Sequence, residues 1–169
     1  MTKTLLVIDV QNDYFAGGAL PLWNTEATLS GVERAIARAR EEGVPAVLVQ
    51  HVATQERAPL LRAGTPGVEL HPRVRAAAPD APVVEKAYAD AFHETDLKET
   101  LARLGATELL VCGMMTHNCV THTAISRAAE AYAVTILPDA CTTVSELLHG
   151  LALHAVSTRV RLAPVATAL

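Results

Sequence analysis

Three residues of this 169-residue chain have the types needed to attack a carbonyl together, although they lie far apart in sequence: Asp9, Lys86 and Cys119. A cysteine attacks as its thiolate, and a free thiol with a pKa of about 8.5 needs help to ionise near neutrality. A carboxylate can take the thiol proton and later return it to a leaving amine. A lysine between them keeps the carboxylate ionised and balances developing negative charge. Each residue alone also has an ordinary reading: a solvated strand-end aspartate, a lysine reaching water, an inert buried thiol. Their value as a set depends on whether the fold brings them to one place.

The surrounding sequence supplies elements that would do so. "TLLVIDV" (4–10), "PAVLVQHV" (45–52), "PVVEKA" (82–87), "ELLVCGM" (108–114) and "AVTILPDA" (133–140) read as short buried strands, with "HAVSTRV" (154–160) as a sixth. Helices are predicted between them. Val32, Ala35, Ile36 and Ala39 recur at helical spacing before Gly43, and Thr95–Leu104 has an N-cap threonine and a Gly105 stop. Further helices are predicted over His117–Tyr132 and Ser145–Leu153. Alternation of this kind predicts a three-layer α/β/α fold with a mostly parallel five- to six-stranded sheet. Parallel strands end on one edge, where ligands bind. Asp9, Lys86 and Cys119 then share that edge, and a helix beginning near Cys119 would lower its pKa.

Composition narrows the class. One domain over 1–169 suffices at this length. Half of the residues are hydrophobic and only 4% aromatic, which suits a sheet covered on both faces and packed with Ala, Val and Leu. A net charge of −4 with no basic run argues against a nucleic-acid partner. No membrane span or signal peptide is read in "MTKTLLVIDVQND", and three unpaired-looking cysteines suit a cytoplasmic location. Residues 53–81, rich in proline, are expected to form a long excursion of the functional kind. "AGGA" (16–19) lacks the Lys-Ser/Thr of a P-loop.

"LLVIDVQNDYF", "VVEKAYADAF" and "VCGMMTHNCVTHTA" resemble the three sequence blocks of the isochorismatase-like cysteine hydrolases, which include nicotinamidases and N-carbamoyl amidases. The resemblance spans nearly the whole chain and implies the Rossmann-like topology of that family. It implies a catalytic triad of Asp9, Lys86 and Cys119 that cleaves a C–N bond of a small amide or carbamoyl substrate through a thioester. It also implies a cis Met114–Met115 peptide and an oxyanion hole made by the backbone N–H groups of Met115 and Cys119. Gln11 and Phe15 match positions that line the family site, and Phe92 matches the aromatic after the lysine. Tyr88 is expected beside Phe92 on an apolar wall, with His117 at the mouth. Homodimers or homotetramers are implied as well.

The chain departs from the nicotinamidase pattern. After the second strand, "LVQHVATQERAPLL" holds only His51 and no aspartate, so no metal and no cofactor are expected. Ala91 stands where Ser or Asn is expected before Phe92. Two other readings remain open. One is cleavage of a vinyl ether by Asp9 acid catalysis, a route that does not need the sulfur. The other is a binding module or thiol sensor, in which Cys119 would show no more reactivity than Cys112 or Cys141.

Overall fold

A computed structural model describes residues 1–169. Six strands form one all-parallel sheet: β1 (Lys3–Ile8), β2 (Ala46–His51), β3 (Val83–Lys86), β4 (Glu108–Met114), β5 (Ala133–Thr142) and β6 (Arg161–Leu162). Their order is β3-β2-β1-β4-β5-β6. The chain therefore builds outward from β1 to one edge, returns, and builds from β4 to the other. The reversal leaves a crevice beyond the C-terminal ends of β1 and β4, which is where ligands bind in open sheets of this kind.

Helices flank the sheet: α1 (Thr25–Glu41), α2 (Pro72–Ala77), α3 (Leu97–Arg103), α4 (Thr121–Ala124), α5 (Glu146–Val156) and α6 (Val165–Ala168). The 3.6-residue spacing of α1 buries Leu29, Val32, Ala35, Ile36 and Ala39, and the helix packs on β1 and β5. Gly31 lets it come close, because a Cβ there would lie 2.3 Å from the Asp139 carbonyl. β1 is fully buried from Leu5 through Ile8, as a central strand covered on both faces must be. Each such Leu or Ile contributes about 1.5–3 kcal/mol by leaving water.

The differences from the sequence reading have physical causes. β1 stops at Ile8 because Asp9 is left-handed, with φ 49°, and cannot continue a ladder. The helix expected over His117–Tyr132 is three pieces: a π-helical turn at Thr116–Val120, the single turn α4, and a 3-10 turn at Arg127–Ala131. Val120, Thr121, Thr123 and Ile125 are β-branched and crowd a helix, and Ser126 Oγ then accepts the Ala128 N–H to start a new turn. The strand expected over 154–160 is wrong in place: α5 runs on to Val156, and β6 is only Arg161–Leu162. Residues 53–81 hold a 3-10 turn at Pro66–Val68 and also α2, whose Pro72 sits at the first helical position behind a capping His71.

Candidate active site

Four neighbouring strand ends meet in the crevice. Lys86 ends β3, and it is in register with His51 at the end of β2. Asp9 follows β1, and the turn after β4 carries Cys119. β3 and β1 are two strand spacings apart, roughly 10 Å, so only a long side chain from β3 reaches the centre. Lys86 makes that reach, passing His51 on the way.

The ammonium of Lys86 gathers the site. Its Nζ donates to His51 Nδ1 at 2.9 Å, to the Tyr88 carbonyl at 3.0 Å and to Cys119 Sγ at 3.2 Å. An ammonium has three protons, and Asp9 competes with these acceptors for them. Asp9 Oδ2 lies 2.8 Å from the same nitrogen in a charge-assisted contact, and the Cys119 thiol lies beside the same carboxylate. Both side chains of the ion pair are fully buried. Asp9, His51 and Cys119 offer ligand atoms within 4.8 Å of one another, a set that resembles a soft-metal site. Here the Lys86 ammonium touches all three.

These contacts set the protonation states. Burial opposes the Lys86 charge, but Asp9 and Cys119 beside it outweigh burial and raise its pKa. Burial and then the Lys86 charge lower the pKa of His51. The imidazole is therefore neutral, with Nδ1 as acceptor and the proton on Nε2. The Cys119 thiol moves upward, mainly by burial and next by the Asp9 charge, with Lys86 pulling the other way. This corrects the expectation that a helix start would lower it. The residue lies inside a π turn, 2% exposed, where loss of water outweighs the helix dipole. The resting group is a thiol beside an acceptor carboxylate.

The loop before Cys119 depends on close backbone approach. Gly113 has φ 117°, and a Cβ on it would meet the Ile8 carbonyl at 2.0 Å. The Met114–Met115 peptide that follows is cis. The Met115 carbonyl accepts the N–H groups of Asn118 and Val120, and not that of Cys119, which a regular α-helix would present to it. The Met115 N–H has no acceptor within the protein.

A cavity of about 310 Å³ opens onto this cluster. Tyr14, His51, Met115, Asn118 and Cys119 line its floor, with Ala87 beside them and residues 53–55 and 58–61 as its outer wall. The match to the isochorismatase domain runs over residues 3–168. The chain belongs to the isochorismatase family. The uncharacterized isochorismatase family protein YddQ of Bacillus subtilis is 37% identical over 145 residues, or 86% of this chain and 80% of that one. Streptothricin hydrolase of Streptomyces noursei is 34% identical over 140 residues, covering 82% of this chain but 53% of that enzyme. The solved structure of an isochorismatase-like hydrolase from Alkaliphilus metalliredigens superposes with a TM-score of 0.88 at 25% identity, covering 99% of this chain and 97% of that one.

In this isochorismatase-family site the expected substrate contacts fare differently from Asp9, Lys86 and Cys119. Gln11 is fully buried, and its amide is spent on the chain. Nε2 donates to the carbonyls of His51 and Val68, and Oε1 accepts the His51 N–H. Phe15 packs against His71 and faces a separate cavity of about 630 Å³ across residues 58–60. Tyr88 gives Lys86 its carbonyl, while its ring meets His93 outside the cavity. Phe92 stacks on Tyr132, and His117 Nδ1 pairs with Thr143 Oγ1, so neither lines the cavity. Ala91 is buried, with its N–H on Thr123 Oγ1.

Two residues given no role by the sequence occupy the site instead. His51 was legible only as a lone histidine, and the strand register puts it against Lys86. Tyr14 adjoins Phe15 in sequence, and the 3-10 turn Asn12–Tyr14 selects it, rather than its neighbour, for the cavity.

Proposed function

We propose that the chain is a cysteine hydrolase that cleaves the C–N bond of a small non-peptide amide or carbamoyl substrate. The observation that carries this reading is the Lys86 ammonium held between Asp9 Oδ2 and Cys119 Sγ just behind the cavity floor. As the substrate carbonyl settles over Cys119, the thiol proton passes to Asp9, the carboxylate beside it. The sulfur forms a bond to the carbonyl carbon, and the C=O pair moves to oxygen. The N–H groups of Met115 and Cys119 receive that oxyanion. The intermediate collapses, the C–N bond breaks, and Asp9 returns its proton to the departing amine. Water then attacks the thioester with Asp9 as base. The C–S bond breaks, the acid leaves, and Asp9 reprotonates the sulfur. Lys86 keeps a positive charge beside the sulfur throughout.

Cys119→Ala should cut turnover by a factor of about 10⁴ or more, and intact-protein mass spectra of the quenched parent should show the acyl group on Cys119. Full activity in Cys119→Ala together with loss in Asp9→Asn would replace this mechanism with acid cleavage of a vinyl ether.

A further inference from the structure

We infer that the Tyr14 hydroxyl is the specificity-determining contact of the cavity, donating a hydrogen bond to an acceptor atom on an uncharged acyl group. The inference rests on the cysteine-hydrolase reading and adds the substrate class. Tyr14 is 2% exposed and lines the same cavity as Cys119. Its hydroxyl takes part in none of the side-chain hydrogen bonds and is not among the buried unpartnered atoms, so it is open to the cavity that Tyr14 lines, close enough to Asp9 and Cys119 to feel both charges. A tyrosine hydroxyl in a largely buried residue ordinarily finds a partner. Here the open direction is the space a substrate would fill. Burial, then Asp9 and Cys119, push the phenol well above its usual range, so it stays a donor.

The rest of the wall explains why that acceptor must belong to an uncharged group. The ionisable groups lining the cavity are Tyr14, His51 and Cys119. His51 is held neutral by Lys86, and Lys86 and Asp9 neutralise each other behind the wall. Ala53, Leu60, Leu61 and Ala87 supply apolar surface. A carboxylate placed there would lose its water without gaining a cation, an expensive exchange. At about 310 Å³ the space is also at the small end of ligand cavities. A compact neutral ring or short chain with one acceptor opposite Tyr14 satisfies each of these conditions.

The test measures binding and turnover separately. Benzamide, its three aza analogues with nitrogen ortho, meta or para to the amide, and a benzamide carrying a ring carboxylate are assayed for protection of Cys119 against iodoacetamide. Parent and Tyr14→Phe are compared, with melting curves to verify folding. In the parent, at least one aza analogue should protect about tenfold better than benzamide, the worth of one neutral hydrogen bond. The carboxylate analogue should protect at least tenfold worse. In Tyr14→Phe the ratio of aza analogue to benzamide should collapse to near one. A ratio that survives in Tyr14→Phe overturns the inference, as does a parent that does not discriminate or that takes the carboxylate analogue equally well. Predicted protection without acyl-enzyme or turnover would instead overturn the hydrolase reading and leave the recognition standing.

Discussion

Replacing Lys86 with methionine keeps most of the buried stem and removes the ammonium. Asp9 then becomes a fully buried carboxylate that has lost its cation. Breaking a buried pair from one side costs about 3–5 kcal/mol, a large share of the roughly 5–15 kcal/mol that stabilises an ordinary domain. At about 2–4 °C per kcal/mol for a chain of this size, the melting temperature should fall by about 6–20 °C. The loss should also depend on pH. A buried carboxyl without a cation favours the neutral acid, so the penalty is greatest where it must stay charged and shrinks as protons become available. Urea unfolding of parent and variant, followed by circular dichroism from about pH 8 to about pH 5, should show the stability gap narrowing. Asp9→Asn added to Lys86→Met removes the orphaned charge and should recover at least half of the loss, a coupling expected only between contacting residues. A Lys86→Met protein within about 1 kcal/mol of the parent at about pH 8, the range of an exposed pair, would refute the reasoning. So would a gap that ignores pH.

Gly113→Ala forces a Cβ to within 2.0 Å of the Ile8 carbonyl at φ 117°, so β1 and β4 must part; urea unfolding should show a loss of about 3 kcal/mol or more. Acid should weaken the fold before its carboxylates titrate. His51, His71, His117 and His149 all have lowered pKa values, chiefly through burial. From about pH 6.5 downward the unfolded chain binds the more protons, so stability rises with pH in that window and is lost as pH falls through it. Denaturation midpoints at about pH 5 should lie below those at about pH 7, and an unchanged midpoint would mean that these histidines are solvated.

The sheet was legible in the sequence because buried parallel strands are nearly continuous apolar runs: the expected 108–114 strand is β4 to the residue, and 45–52 and 82–87 overrun β2 and β3 by one residue at each end. Asp9, Lys86 and Cys119 were legible for the same reason, since their position at strand ends follows from the pattern. What escaped depends on rotation of the chain after a strand stops. Tyr14 and Phe15 are adjacent and both aromatic, and only the turn Asn12–Tyr14 decides which one faces Cys119. Gln11 offers the same polar atoms to a ligand or to a neighbouring backbone, and long-range pairing with His51 and Val68 chooses the backbone. The Cys119 thiol could not be judged from its place in the first turn of a predicted helix, because burial, invisible in a local window, sets the direction.

Lys86 sits on β3, the outermost strand on its side of the sheet and only four residues long. Short edge strands are where a fold opens most readily. The ammonium, reaching over β2 to the middle of the sheet, is thus also a fastener that pins the margin to the interior. Loosening of that margin would withdraw the positive charge from Cys119 while the other strands stay paired. Chemistry and cohesion of the edge then fail together, and loss of activity on warming or in mild urea serves as an early gauge of β3 detachment, ahead of the collapse of the whole domain.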